Sequence, residues 1–349
     1  MTSTRSKRIK TILGYLITFL LLITINFSLP RLMPGDPFIH AGGEAGEVIT
    51  FYSEDQIEYL REYYGLDEPV HRQYFSYLGD TLTGNLGFSY YYNQDVSQII
   101  LKRLPWTMLL VIFSTALSII LGIILGSYSA EKRGGWQDRA VYLVMIVFSE
   151  IPAFLIGIFL LVILGASLGL FPLSGGVTHF TVHESIWSQI IDILYHSALP
   201  IMTLTLSRVG GMYLLVRNSM TTVLSKDYIK TAKAKGLKKF RIKYVHGLRN
   251  AILPLITRVC LQMGGIIGGA VLAENVFSYP GLGTIMTEAV FVRDYPLLQG
   301  IFLVMALTVM GANVLADVLY QRLDPRTKAP VINPKKTSVC ETTAEKEFN

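Results

Sequence analysis

The stretch "KDYIKTAKAKGLKKF", Lys226 to Phe240, lies between two long apolar runs and carries six lysines against one acid, Asp227. Its composition predicts a short helix on the water side of a membrane. Asp227 is placed to cap the start, Thr231, Ala232 and Ala234 form the body, Lys233 and Lys235 suit the negative end of the helix dipole, and Gly236 can end it. Small side chains along its body would let it enter a cleft.

Working outward, the apolar runs on either side belong to a set of six, roughly 11–29, 106–129, 140–164, 197–216, 251–273 and 298–320. A run of about 19 residues at about 1.5 Å each crosses a hydrocarbon core of about 30 Å. The 349 residues are 51% hydrophobic and 16% charged, and the mean hydropathy is +0.43, so the class is an all-α polytopic membrane protein. The first run has a basic front but no small-x-small cleavage site, and it is read as a retained helix rather than a signal peptide.

The net charge of +6 sorts by compartment. Residues 217–250 hold ten Lys/Arg against Asp227 alone, and residues 166–196 hold none. By the positive-inside rule both termini are cytoplasmic. The surplus therefore reports topology and some attraction to anionic lipid heads, not nucleic-acid binding. Cys260 and Cys340 fall in different compartments and imply neither disulfide nor metal site.

Between the first two spans lie about seventy residues with eleven acids against five Lys/Arg. Ser53 with Gln56 makes a capping box for one helix ending near Gly65. A second is expected after Pro69, with Tyr74, Leu78 and Leu82 on its apolar side and Gly84 as its stop. Glycine pairs at small-xxx-small spacing, Gly122 with Gly126, Gly264 with Gly268 and Gly265 with Gly269, allow close helix approach or room for a solute.

Together with the basic segment, an ordered set of motifs covers nearly the whole chain: "PGDP" (34–37), "YGLDEPV" (64–70), "RGGWQDR" (133–139), "ENVFSYPGLG" (274–283), "RDYPLLQG" (293–300) and "LDPR" (323–326). The set resembles the permease subunits of binding-protein-dependent ABC importers, in the dipeptide/oligopeptide/nickel branch. The resemblance implies the type I importer permease fold and a bacterial inner-membrane location. It divides the chain into 1–103 (cytoplasmic arm, first span and outer cap), 104–325 (permease core) and 326–349 (tail).

The same resemblance implies a coupling helix that docks on a cytoplasmic ATPase, at Asp227, Tyr228, Ile229, Thr231, Ala232, Lys233, Ala234, Lys235, Gly236 and Leu237. The acidic position of the general importer motif falls at Lys230, so a salt bridge from there is not implied. Implied partners are a second permease, two ABC ATPases that use ATP and Mg, and an extracytoplasmic solute-binding protein, which would dock near Tyr279, Pro280 and Gly281. The alternative for that turn is a plain re-entrant loop. Peptides lead as solute, and nickel or a nickel chelate is the alternative.

The chain lacks a G-x-x-x-x-G-K-[ST] phosphate loop, a G-x-S-x-G elbow and an H-E-x-x-H helix, so no cofactor or catalysis of its own is expected. A reading of another class, an ATP-independent channel or secondary transporter, would call for internal repeats, and none is evident. Among charges within spans, Glu150 and Arg208 are expected at one depth, about 14 Å from the inner face, as a pair or as linings of one hydrated cavity. Asp317 is read as bonding a neighbouring helix end. His179 and His183 have i, i+4 spacing but no third ligand, and are read as solvated rather than metal-binding.

Overall fold

Helices occupy all six predicted spans. The computed structural model describes residues 2–32, 58, 68–178, 180–181 and 185–323. Apart from Glu58 and Leu323, the expected helix near 53–65, the "PGDP" and "LDPR" turns, His179, His183 and the tail lie outside the described residues, as do the side chains of Cys260 and Asp317 and the surroundings of Gly264 and Gly265.

In chain order, α1 (Thr2–Leu32) is followed by α2 (Val70–Thr83), which lies against it. A hairpin of β1 (Phe88–Ser89) and β2 (Gln94–Asp95) pairs Phe88 with Asp95 and leads into α3 (Val96–Glu131). Then come α4 (Trp136–Glu150) and α5 (Ala153–Leu160), the latter continued by a π-helical stretch Leu161–Ser167. The long α6 (Ile186–Leu224) precedes the short α7 (Asp227–Ala234) and a second π-helical stretch, Arg241–Leu248. Finally α8 (Arg249–Val276), α9 (Leu282–Phe291) and α10 (Tyr295–Leu323) complete the bundle.

Among the described residues three helices are long and apolar enough to span alone, within α3, α6 and α10, and α4 with α5 makes a fourth as a broken span. The 36 residues of α3 run through the expected domain boundary at 103/104 without interruption.

The third span is not the straight helix its hydropathy predicts. It bends by 104° between α4 and α5. The cause is local: Pro152 supplies no backbone N–H and crowds the residue before it, and Ile151 takes an extended backbone at φ −80°, ψ 125°. A hydropathy average does not register a missing donor.

Glycines set the closest helix seams. A Cβ on Gly122 would lie 2.6 Å from the Met212 Cβ, and one on Gly126 would lie 2.8 Å from the Val216 Cβ, so this pair serves the packing of α3 on α6. The broken span follows α6 outward, with Met145 and Ser149 against Gly210 and then Gly157 against Thr203 and Phe277. Apolar layers fill the bundle: Met212, Val216, Met220 and Leu255 toward the α7 end, Leu110, Leu199, Leu204 and Phe277 in the middle, and Val96, Ile285, Leu297 and Ile301 at the opposite end.

Helix α2 forms as expected, from Pro69 to a left-handed Gly84 (φ +81°) whose N–H donates to Thr81 O. Its contact face differs in one respect. Tyr74 stacks edge-on at 5.2 Å to Phe27 and shares a hydrogen bond with Thr24, and Tyr77 accepts one from Asn26 Nδ2, whereas Leu82 is exposed. Asn26 also donates to Gln299 O at 2.8 Å, tying α1 to α10.

Candidate functional site

The inner helix α7 closes with a full Schellman stop. Gly236, at φ +71°, donates to Lys233 O at 2.9 Å, and Leu237 N–H donates to Ala232 O at 3.3 Å. Its start differs from expectation. Lys226 occupies the N-cap position with no side-chain cap, and Asp227 is already inside the first turn, where its carboxylate accepts from Lys230 Nζ at 2.8 Å. An acid there still faces the positive end of the helix dipole.

The helix has two unlike faces. Ile229 is fully buried and Ala232 is 8% exposed, both packed with Ile242, Leu224 and Leu237. Tyr228, Lys230, Thr231, Lys233, Ala234 and Lys235 all face solvent. Ala232, one of the small residues of the helix body, packs on its own chain, because residues three apart on a helix share a face and Ile229 anchors that face.

Sequence reasoning missed a polar clamp that joins α3, α4 and α6. Arg217 grips Asp138 with two parallel hydrogen bonds, Nε to Oδ1 and Nη2 to Oδ2, both at 2.7 Å. The Ser129 hydroxyl also donates to Asp138 Oδ1 and shares a 2.6 Å hydrogen bond with Tyr213, and Gly134 N–H donates to Oδ2 at 3.0 Å. Hydrogen bonds from Arg217 hold the Asp138 carboxyl well below the usual carboxylate range, outweighing the opposing effect of burial. Three helices, α3, α4 and α6, thus meet on one carboxylate. Lys243 adds a 2.9 Å ion pair to Glu131 at the end of α3. The only signal in the sequence is Asp138 inside "RGGWQDR" and Arg217 at the head of the basic run, 79 residues apart.

At mid-depth, Glu150 and Arg208 have different neighbours. Gly210 packs on Met145 and Ser149, so the two helices are in register there. Yet Arg208 Nη1 donates to Ser114 Oγ at 3.2 Å and Nη2 lies 3.2 Å from where a Gly269 Cβ would stand, while Glu150 is exposed and makes no ion pair among the described residues. Glu150→Gln and Arg208→Gln are therefore expected to have additive effects on stability, within about 0.5 kcal/mol in a double-mutant cycle. A larger coupling energy would restore the pairing.

The outer turn is built around a buried carboxylate. Glu274, fully buried at the end of α8, accepts from the Thr107 hydroxyl at 2.7 Å and from Gly283 N–H at 2.6 Å, and Leu282 N–H donates to Thr107 Oγ1 at 2.8 Å. Space for it exists because Gly281 has no side chain: a Cβ there would fall 2.2–2.4 Å from the carboxylate atoms. Tyr279 is fully buried, hydrogen-bonded to Ser197 at 2.8 Å and edge-on to Trp106, and Pro280 packs on Gly176. Within this chain Tyr279 therefore packs inward, and Gly281 leaves the space that the Glu274 carboxylate fills. At the start of α10, Asp294 caps the helix through Leu297 N–H at 3.1 Å and accepts from Ser89; burial raises its pKa above the usual carboxylate value.

Among the described residues, no group of three or more His, Cys, Asp or Glu side chains is placed to hold a metal ion.

Residues 118–329 match the family described as "Binding-protein-dependent transport system inner membrane component", and residues 7–111 match its N-terminal companion. An oligopeptide transport system permease protein of Bacillus subtilis is 36% identical over 317 residues, covering 89% of this chain and 95% of the relative. A glutathione transport system permease of Pectobacterium atrosepticum is 35% identical (91% and 97%), and a dipeptide transport system permease of Lactococcus lactis is 33% identical (90% and 96%). Among solved structures, an inward-facing MetNI methionine ABC transporter aligns with a TM-score of 0.54 at 14% identity, over 65% of this chain and 97% of that one, a likeness of fold alone.

Proposed function

The chain belongs to the family of binding-protein-dependent transport system inner membrane components, the permease subunits of ABC importers, and on that premise we propose that it forms a peptide path with a second permease. Two cytoplasmic ATPases, which use ATP and Mg, drive it through α7, and an extracytoplasmic binding protein delivers the solute. Both termini lie in the cytoplasm. The permease itself hydrolyses no ATP and binds no cofactor. Relatives named for oligopeptide, dipeptide and glutathione transport support peptides over nickel.

The observation that carries this reading is the two-faced α7. It is seated by Ile229 and Ala232, closed by Gly236, and turns an exposed row of lysines and small residues away from the bundle. That is the shape of a projection made to be held by another protein. Among the described residues the side chains of Lys233 and Lys235 make no hydrogen bond or ion pair.

The test follows from the faces. Lys233→Glu and Ala234→Trp change only exposed positions, so membrane abundance should stay at the wild-type level. ATP-driven peptide uptake in proteoliposomes should fall at least about tenfold, the worth of about 1.4 kcal/mol of docking energy. Wild-type uptake by both variants would overturn the coupling role, and uptake without nucleotide would replace it with a channel. Ala232→Asp is a poorer probe, since it would bury a charge and unseat the helix.

A further inference from the structure

A groove of about 600 Å³ opens between α4 and α6 at their inner ends, and the polar clamp forms one wall of it. Its chemistry is graded. Arg139 and Asn218 stand at the rim, and Leu143 and Leu214 lie deeper. Because α4 runs outward and α6 runs inward, Leu143 is four residues past Arg139 and Leu214 four residues before Asn218, so on both walls the apolar residue is one turn further into the membrane. Tyr142, under the Arg217 guanidinium at 5.2 Å, lines the groove between them.

The hydrogen-bonding accounts of these side chains are unequal. Both Asp138 oxygens are taken, by Arg217, Ser129 and Gly134. Arg217 spends Nε and Nη2 on that carboxylate, which leaves its Nη1 without an acceptor among the described residues. The Arg139 side chain and the Asn218 amide are exposed and make no hydrogen bond or ion pair among the described residues. The groove therefore offers unspent donors and one net positive charge at headgroup depth, with no carboxylate free to greet an ammonium group, above two leucines at acyl-chain depth.

From this we infer that the groove is a binding site for an anionic phospholipid of the inner leaflet: Arg139, Asn218 and Arg217 Nη1 take the phosphate, and Leu143 and Leu214 take the first carbons of a chain. The inference needs the inner placement of this end of the bundle but not the solute or the ATPase contact, and its readout is lipid binding rather than uptake.

The experiment uses the assembled transporter in mixed micelles. Retention of phosphatidylglycerol and phosphatidylcholine is measured by native mass spectrometry, and a photo-reactive residue replacing Leu143 reports what fills the groove. Wild type should retain phosphatidylglycerol in preference to phosphatidylcholine, and Arg139→Gln should cut that retention about fivefold, the value of one arginine at a membrane surface. Inorganic phosphate at millimolar concentration should not displace the lipid, and the crosslink should carry a lipid mass. Equal retention of the two lipids, unchanged retention in the variant, or displacement by inorganic phosphate would overturn the assignment, as would a crosslink to a protein subunit, which would make the groove a subunit interface.

Discussion

Replacing Arg217 with alanine should lower stability by about 3–5 kcal/mol, because it strands the buried Asp138 carboxylate among Ser129 and Gly134 with no counter-charge. The measurement is thermal unfolding in detergent, read against Arg217→Lys, which keeps the charge but loses the two-pronged grip and should fall between. Asp138→Asn relieves the stranded charge and should cost less than Arg217→Ala. The pH dependence has a definite sign. Asp138 has a depressed folded pKa, so its contribution is complete above the unfolded value of about 3.9 and is lost as pH falls toward the folded one. The gap between wild type and Arg217→Ala should be full at neutral pH, begin to narrow as acid protonates the stranded Asp138 of the variant, whose burial Arg217 no longer offsets, and vanish only in strong acid. A variant as stable as wild type at pH 7 would mean that the clamp is dispensable.

Gly281→Ala should be the second severe lesion, although it adds one methyl group. The new carbon would sit on the Glu274 carboxylate, and relief requires that carboxylate to leave either Thr107 or Gly283. Overpacking of about 1–3 kcal/mol adds to about 1–3 kcal/mol for a buried hydrogen bond left unmade. Glu274→Gln in the same background should recover part of the loss by removing the charge, whereas an exposed docking glycine would tolerate alanine with no change in unfolding temperature. That comparison separates a structural turn from the contact surface that its motif implies.

The long apolar runs made the bundle legible, because spanning a hydrocarbon layer demands length and composition that few other structures need. The helix ends at Gly84 and Gly236 were legible for a similar reason: a left-handed residue after a helix is written locally. What stayed hidden is what two distant positions decide together. Asp138 and Arg217 each look like ordinary basic-loop residues until α4 and α6 are laid side by side. Glu150 and Arg208 share a depth, but depth leaves the direction around each helix undetermined, and rotation gives them different neighbours. The break at Ile151 and Pro152 was present in the letters, yet an apolar average passes over it. The inward packing of Tyr279 and the space that Gly281 leaves were not legible either, because they depend on Glu274 and Ser197, which a local Pro-Gly turn does not reveal.

The seating of Ile229 and Ala232 against Leu224, Leu237 and Ile242 has a mechanical corollary. Leu224 is the last residue of α6 and Ile242 belongs to the stretch that enters α8, so α7 is packed against the ends of two shafts at once. A force on its lysine edge would be delivered as torque on both helices together, which is what a transmission requires.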